Sequence, residues 1–155
     1  MNLKFINIYN NFVKLTRNKK LYEDFKAQDT FSDRLIFFLL HFAFFLKIYK
    51  NDSNKKLLQE IYDYIFRQVE LSIREIGYGD QSINKKMKDY LNLFYGMIDK
   101  IHDWDKLEDK SKKLLLSKFL DNAVNIDYLV EYFDKYKLFL LNNTLNSHIK
   151  GVTKD

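Results

Sequence analysis

The chain contains few side chains of the types that catalyse reactions or bind metals. It has no cysteine, which excludes disulfides, thiolate zinc sites and thiol nucleophiles. Its histidines are His41, His102 and His148, and no two of them have the spacing of metal ligands on one helix face. His41 lies in an apolar stretch, where a hydrogen-bonded core histidine is the expected role. With no phosphate-binding loop or Gly-x-Ser-x-Gly motif either, we expect no catalytic residues, no metal, no cofactor and no enzyme.

The most concentrated polar chemistry is a charged segment around two glycines. A guanidinium and two carboxylates, those of Arg74, Glu75 and Asp80, flank Gly77 and Gly79. Glycine there suits a tight joint between helices, and a guanidinium can form a bidentate ion pair with a carboxylate. Two interpretations stay open: a structural clasp that fixes the angle between two helices, or part of a partner-binding surface.

Lysines form two clusters, but they indicate little about a partner. The formal net charge is +5 and only 4 of the 26 basic residues are arginine, the better reader of bases. We therefore expect these lysines to be solvated surface residues. The alternative is that they contact phosphate groups of lipid or RNA, and we expect no DNA partner. The clusters are Lys85, Lys86 and Lys88 in one predicted helix and Lys110, Lys112 and Lys113 in another.

These side chains must be positioned by helices. Proline is absent and there are only 4 glycines, so long helices are permitted. The spacing of apolar residues predicts an all-α, single-domain bundle of about six helices within residues 1–142, with a frayed tail at 143–155. We expect Gly77 to end a helix in the left-handed conformation, and Asp29 or Thr30 to cap an earlier one. The predicted helices are about 3–17, 31–49, 55–76, 80–100, 109–122 and 126–141.

The predicted helix 31–49 is apolar on every face. Its apolar run is about 12 residues long, whereas a membrane-spanning helix needs about 20, so we expect a core helix. It carries more apolar surface than we expect a small bundle to cover, which predicts an exposed side that needs a partner. The aromatic residues predicted to line that side are Tyr9, Phe12, Phe44, Phe45 and Tyr49, and the alternative is that they all belong to an ordinary core.

Three motifs resemble those of the ubiquinol–cytochrome c chaperone family. Residues 29–34 (DTFSDR), followed by an apolar run to His41, resemble its Asp-Thr-x-x-Gly-Arg element. Residues 73–80 (IREIGYGD) resemble its Leu-Arg-Glu-x-Gly-Val-Gly-Asp signature, and residues 94–96 match a later Phe-Tyr-Gly element. The motifs occur in order and cover about residues 8–102. The chain departs from the family pattern at Asp33 (glycine) and Met97 (arginine).

The resemblance implies an assembly chaperone of respiratory complex III, in a bacterial, alphaproteobacterial-like member. The implied client is cytochrome b or another hydrophobic membrane protein, with a small partner protein, the ribosome or the membrane surface as further partners. Its candidate client- or partner-binding residues, with the aromatics above, are Arg34, Arg74, Glu75, Asp80, Lys85, Lys86, Phe94 and Tyr95. Structural roles are expected for Gly77, Gly79, Gly96 and His41.

Two other functions stay open. The first is a peripheral membrane- or ribosome-associated adaptor that binds lipid or RNA, and the second is a small enzyme. Residues 1–5 lack the apolar run of a signal peptide, so we expect a cytoplasmic protein, either free or peripheral at the inner membrane.

Overall fold

The computed structural model describes residues 3–23, 31–120 and 125–155, and these residues form helices with no strand. The predicted all-α, single-domain fold is confirmed, although the described residues contain seven α-helices rather than about six. Asp29 and Thr30, the predicted caps of the second helix, lie outside the described residues. The helices are α1 Ile6–Thr16, α2 Phe31–Tyr49, α3 Lys55–Glu75, α4 Asp80–Ile101, α5 Asp109–Phe119, α6 Ile126–Leu141 and α7 Leu145–Lys150.

The amphipathic stripes of α3 and α4 determine how these helices pack. On α3 the residues at helical spacing, Ile61, Ile65 and Ile73, are completely buried, while the opposite side is charged. On α4 the completely buried residues include Phe94 and Met97. Both helices pack these stripes against the central helix α2 and its neighbours.

The central helix α2 is enclosed by the rest of the bundle. It contacts α1, α4 and α6, and its residues from Phe37 to Phe45 are all buried. The prediction that a small bundle cannot cover this helix is therefore wrong. Aromatic rings from its neighbours cover it, as where Phe42 stacks on Phe94 at 5.2 Å and Phe44 on Phe133 at 5.0 Å.

The C-terminal residues fold back onto the bundle instead of fraying. Thr144 caps α7 in a capping box, and Gly151 ends that helix with a φ of 73°. His148 is buried, and its Nε2 atom lies 2.8 Å from the hydroxyl of Tyr49 on α2. The Nδ2 of Asn7 on α1 also donates to a carbonyl of α7. The expectation of a frayed tail missed this packing because Tyr49 and Asn7 are distant from α7 in sequence.

Of the glycines with expected structural roles, Gly77 is the one whose backbone requires glycine. It follows the C-terminal end of α3 with a φ of 97°, a conformation that L-residues rarely adopt. Gly79 has a φ of −69°, and a Cβ added at Gly79 or Gly96 would meet nothing within 4 Å. Of these three glycines, only Gly77 therefore has a backbone conformation that requires glycine.

Candidate functional site

Arg74 forms the predicted ion-pair clasp between α3 and α4, but its second carboxylate is that of Glu70 and not that of Glu75. Nη1 of Arg74 lies 3.2 Å from Oδ1 of Asp80, and Nη2 lies 3.4 Å from Oε1 of Glu70. Glu75, the carboxylate expected from the sequence, makes no ion pair within the described residues. The side chains of Arg74 and Asp80 are 41% and 88% exposed, so solvent screens the pair and it adds at most about 1 kcal/mol of stability.

Most of the aromatic residues expected on an exposed side lie in the core instead. Phe12, Phe44, Phe45 and Tyr49 are between 0% and 7% exposed, and Phe94 is completely buried. Phe12 alone packs against three phenylalanine rings of α2. These five side chains hold the helices together and do not line an exposed surface.

Tyr9 and Arg34 come together at a small cavity on another side of the bundle. Tyr9 is half-buried and Arg34 is exposed, and both line a cavity of about 220 Å³ that reaches Val69 of α3. Arg17 lines the same cavity, so two guanidinium groups lie beside its apolar wall.

The lysine clusters are partly engaged within the protein. Lys85 is exposed at the start of α4. Three other clustered lysines have intramolecular partners, which are the Tyr78 ring for Lys86 at 4.5 Å, Asp134 for Lys112 at 3.0 Å and Asp127 for Lys113 at 2.8 Å. These contacts fit the reading of a solvated surface better than that of a free phosphate-binding stripe.

A long groove runs between α3 and α4, and we call it the seam groove. It consists of two adjoining cavities, of about 670 and 530 Å³, and its lining includes Leu58 and Phe66 of the buried stripe of α3. Its lining residues extend over 55–70 on α3 and 84–98 on α4, with His102 just beyond that helix, and the C-terminal half of α2 adds Ala43 and Leu46 at one end.

The centre of the seam groove has an aromatic floor. Tyr62 and Phe66 of α3 lie 4.8 Å apart, and Phe66 packs edge-on against Phe94 at 5.1 Å. The hydroxyls of Tyr62 and Tyr95 are 3.0 Å apart, which links the helices where the two cavities adjoin. Burial, followed by the hydrogen bond to Tyr95, raises the pKa of Tyr62.

Apolar side chains extend the floor and charged ones form its rims. Leu58 and Ile98 continue the apolar surface toward the larger cavity, and Met87 and Leu91 continue it toward the other. The rims carry mixed charges: Asp63, Arg67 and Glu70 on α3, Lys88 on α4, and Lys47, Lys50 and Lys55 at the end of the larger cavity. This arrangement suits binding of an amphipathic ligand.

Sequence reasoning found Tyr95 but missed Tyr62, Met87 and Leu91 as groove residues. Met87 and Leu91 are among the apolar residues whose spacing predicts the helix over 80–100, and residues at such spacing usually face a core. Tyr62 is four residues before Phe66 and beside the buried stripe of α3, which was the available signal.

His41 has the arrangement expected of a structural histidine. Its Nδ1–H donates to the carbonyl of Phe37 at 2.6 Å, and its Nε2 accepts from the hydroxyl of Tyr132 at 2.6 Å. Burial lowers the pKa of His41 to about 4, opposed by the backbone hydrogen bond. Burial likewise lowers the pKa of His148 to about 4.

The family model described as ubiquinol–cytochrome C chaperone matches residues 23–120, which is more than half of the chain. The chain belongs to the ubiquinol–cytochrome c chaperone family. The match includes the seam groove and the joint at Gly77, and it confirms the resemblance drawn from the motifs.

A solved structure agrees with this membership of the chaperone family. The crystal structure of the Cbp3 homologue from Brucella abortus is similar to this fold with a TM-score of 0.77 and 26% sequence identity. The similarity covers 97% of this chain and 88% of that one, so it includes the C-terminal helix. No curated protein sequence matches the chain.

One residue that departs from the family pattern, Met97, lies in the core of the bundle. Met97, where the family commonly has an arginine, is completely buried in the core of this chaperone. This position therefore presents no cation to a partner. None of the described helices is long and apolar enough to cross a membrane.

Proposed function

We propose that this protein is an assembly chaperone for the ubiquinol–cytochrome c reductase complex, and that its client is a hydrophobic membrane protein, cytochrome b. The observation that carries the proposal is the family match over residues 23–120. The similarity to the Cbp3 homologue from Brucella abortus supports the same role.

The seam groove is the proposed client-binding site. A new membrane protein exposes apolar helices that aggregate in water, and a chaperone must cover them reversibly. The floor around Tyr62, Leu91 and Tyr95 provides apolar and aromatic area for this contact, and Tyr95 is 55% exposed. Shielding of this kind needs neither a cofactor nor turnover.

Exposed charged residues near the groove are proposed as secondary contacts. Arg74, Glu75 and Asp80 lie at the joint where α3 and α4 meet, and Lys85 and Lys86 follow on the first turns of α4. These groups suit a second contact of the client, a small partner protein, the ribosome or anionic lipid. The protein would then act in the cytoplasm, at the surface of the inner membrane.

Deletion of the gene tests the proposed function. Cells that lack the protein should contain less assembled ubiquinol–cytochrome c reductase and less cytochrome b, while another respiratory complex is unchanged. Expression of the wild-type chain from a plasmid should restore both. Normal levels of the assembled complex in the deletion strain, with no cytochrome b recovered on the purified protein, would rule the function out.

A further inference from the structure

We propose that the seam groove binds a single amphipathic helix, about four turns long, with its C-terminal end beside Lys50 and Lys55. The inference rests on the proposed function and deepens it, because it names the part of the client that is bound and its direction. Three properties of the groove carry it: its length, its cross-section and the charge at its ends.

The length of the groove matches a helix of moderate size. Its lining runs over residues 55–70 on α3 and from residue 84 of α4 to His102, just beyond the end of that helix. At the helical rise of 1.5 Å per residue, these segments correspond to roughly 23 and 27 Å. A helix of about 16 to 18 residues would therefore lie in contact from end to end, somewhat fewer than the 20 or so that span a bilayer.

The cross-section of the groove favours an amphipathic helix over one that is apolar on every side. The floor at Phe66, Leu91 and Ile98 is apolar, but the rims carry Asp63 and Lys88 along with other polar groups. A ligand helix would bury one apolar stripe on the floor and place polar flanks against these rims. A helix without polar flanks would put apolar side chains against charges and leave its outer face in water.

The charge at the two ends sets the direction. Lys50 and Lys55 line the larger cavity, are exposed, and make no ion pair within the described residues, whereas Asp52 is the one acidic side chain lining that cavity. In the other cavity, Arg67 and Glu70 pair with each other at 2.7 Å. The lining of the first end therefore has an excess of cations, whereas in the other cavity Lys88 and Arg67 are matched by Asp63 and Glu70. Cations stabilise the negative C-terminal end of a helix.

The Tyr62–Tyr95 pair lies across the path of such a helix. The pair occupies the middle of the groove, between the two cavities. Tyr95 is exposed and can swing outward, so a bound helix would replace this hydrogen bond with contacts to both rings. Binding should therefore alter the environment of these tyrosines.

Synthetic peptides test the proposal on the purified, full-length chain. The first peptide has 16 residues, a leucine stripe at helical spacing and glutamates in its last turn. The second has the same composition but carries the glutamates in its first turn. The third is an eight-residue half of the first peptide, and in the fourth the leucines are moved out of helical spacing. Fluorescence anisotropy should show the first binding tightest, about three- to fivefold better than the second, with the other two much weaker.

Charge reversal at the lysines tests the direction. In the variant Lys50→Glu with Lys55→Glu, the preference for glutamates in the last turn should vanish or invert. Lys110 and Lys118 are also exposed but lie on α5, away from the groove, so Lys110→Glu with Lys118→Glu is the matched control and should leave the preference unchanged. Circular dichroism would verify that both variants remain helical.

Three outcomes would overturn the proposal. These are equal binding of the first two peptides, equal binding of the scrambled peptide, and displacement of bound peptide by a fatty acid but not by unlabelled peptide. Peptides are used instead of cytochrome b so that the two proposals fail separately. Recovery of cytochrome b without directional peptide binding would refute only this inference, and directional binding without any effect of gene deletion on the complex would refute only the proposed function.

Discussion

The side-chain hydroxyls of Tyr62 and Tyr95 lie 3.0 Å apart across the seam groove and join α3 to α4 at its middle. The Phe42 ring of the central helix α2 stacks on Phe94 of α4 beneath this pair and also contacts Phe66 of α3. The groove floor is therefore built on the most buried part of the bundle, while its walls remain accessible.

A charge at the centre of the groove should abolish client binding without unfolding the protein. Tyr95→Asp loses an exposed hydrogen bond worth about 0.5 kcal/mol, and it places a carboxylate on an apolar floor. We expect urea denaturation to show little change and recovery of cytochrome b to fall at least tenfold. Leu114→Asp is the control, because Leu114 is 65% exposed on α5. Equal loss in both variants would mean that the groove is not the binding site.

Alanine substitutions at Gly77 and at Gly96 should have opposite effects on the stability of the protein. Gly77→Ala forces an L-residue to a φ near 97°, which should lower the free energy of unfolding by about 1–2 kcal/mol. Gly96→Ala lies inside α4, where an added Cβ meets nothing within 4 Å, and should raise it by up to about 1 kcal/mol. Urea denaturation of both variants measures the difference. Destabilisation by Gly96→Ala would mean that the helix needs close approach there.

Mild acid should destabilise the protein through its two buried histidines. Because burial lowers the pKa of His41 and His148 to about 4, the unfolded chain takes up these protons first as the pH falls. The free energy of unfolding should be unaffected by them above pH 7 and should fall between pH 6.5 and 4, by up to about 3 kcal/mol for each group.

The histidine contribution can be separated from that of the carboxylates. In His41→Phe, the slope of unfolding free energy against pH should decrease by about 1.4 kcal/mol per pH unit over that range. Denaturation at several pH values measures it. An identical slope in the wild type and in His41→Phe would show that the histidine is not held neutral in the folded state.

The C-terminal helix should be necessary for stability. Deleting residues 143–155 uncovers Phe45 and Tyr49 and removes the buried side chains of Leu145 and His148. Since each buried apolar side chain contributes about 1.5–3 kcal/mol, the deletion should cost about 3 kcal/mol or more. Thermal denaturation should detect this, with Asn146→Ala, at an exposed position of the same helix, as an unaffected control. An unchanged melting temperature of the truncated chain would contradict the packing of α7.

The helices and the joint were predictable because they depend on local rules. Apolar spacing predicted a helix over 55–76, close to the observed α3, and glycine chemistry predicted the left-handed residue at Gly77. The seam groove was not predictable, because an apolar residue such as Leu91 cannot be distinguished from a core residue until the angle between α3 and α4 is known. The burial of Phe44 and Phe45 was mispredicted for a related reason: partners from α6 and α7 come from distant parts of the chain.

Site-specific photocrosslinking in living cells tests the central claim most directly. A photoreactive amino acid would replace Tyr95 in the groove or Leu138, which is 56% exposed on α6 and lies outside it. Irradiation during synthesis of the respiratory complex should crosslink cytochrome b to the probe at position 95 and not to the one at position 138. Crosslinks to cytochrome b from position 138 alone, or from neither position, would contradict the assignment of the seam groove as the client-binding site.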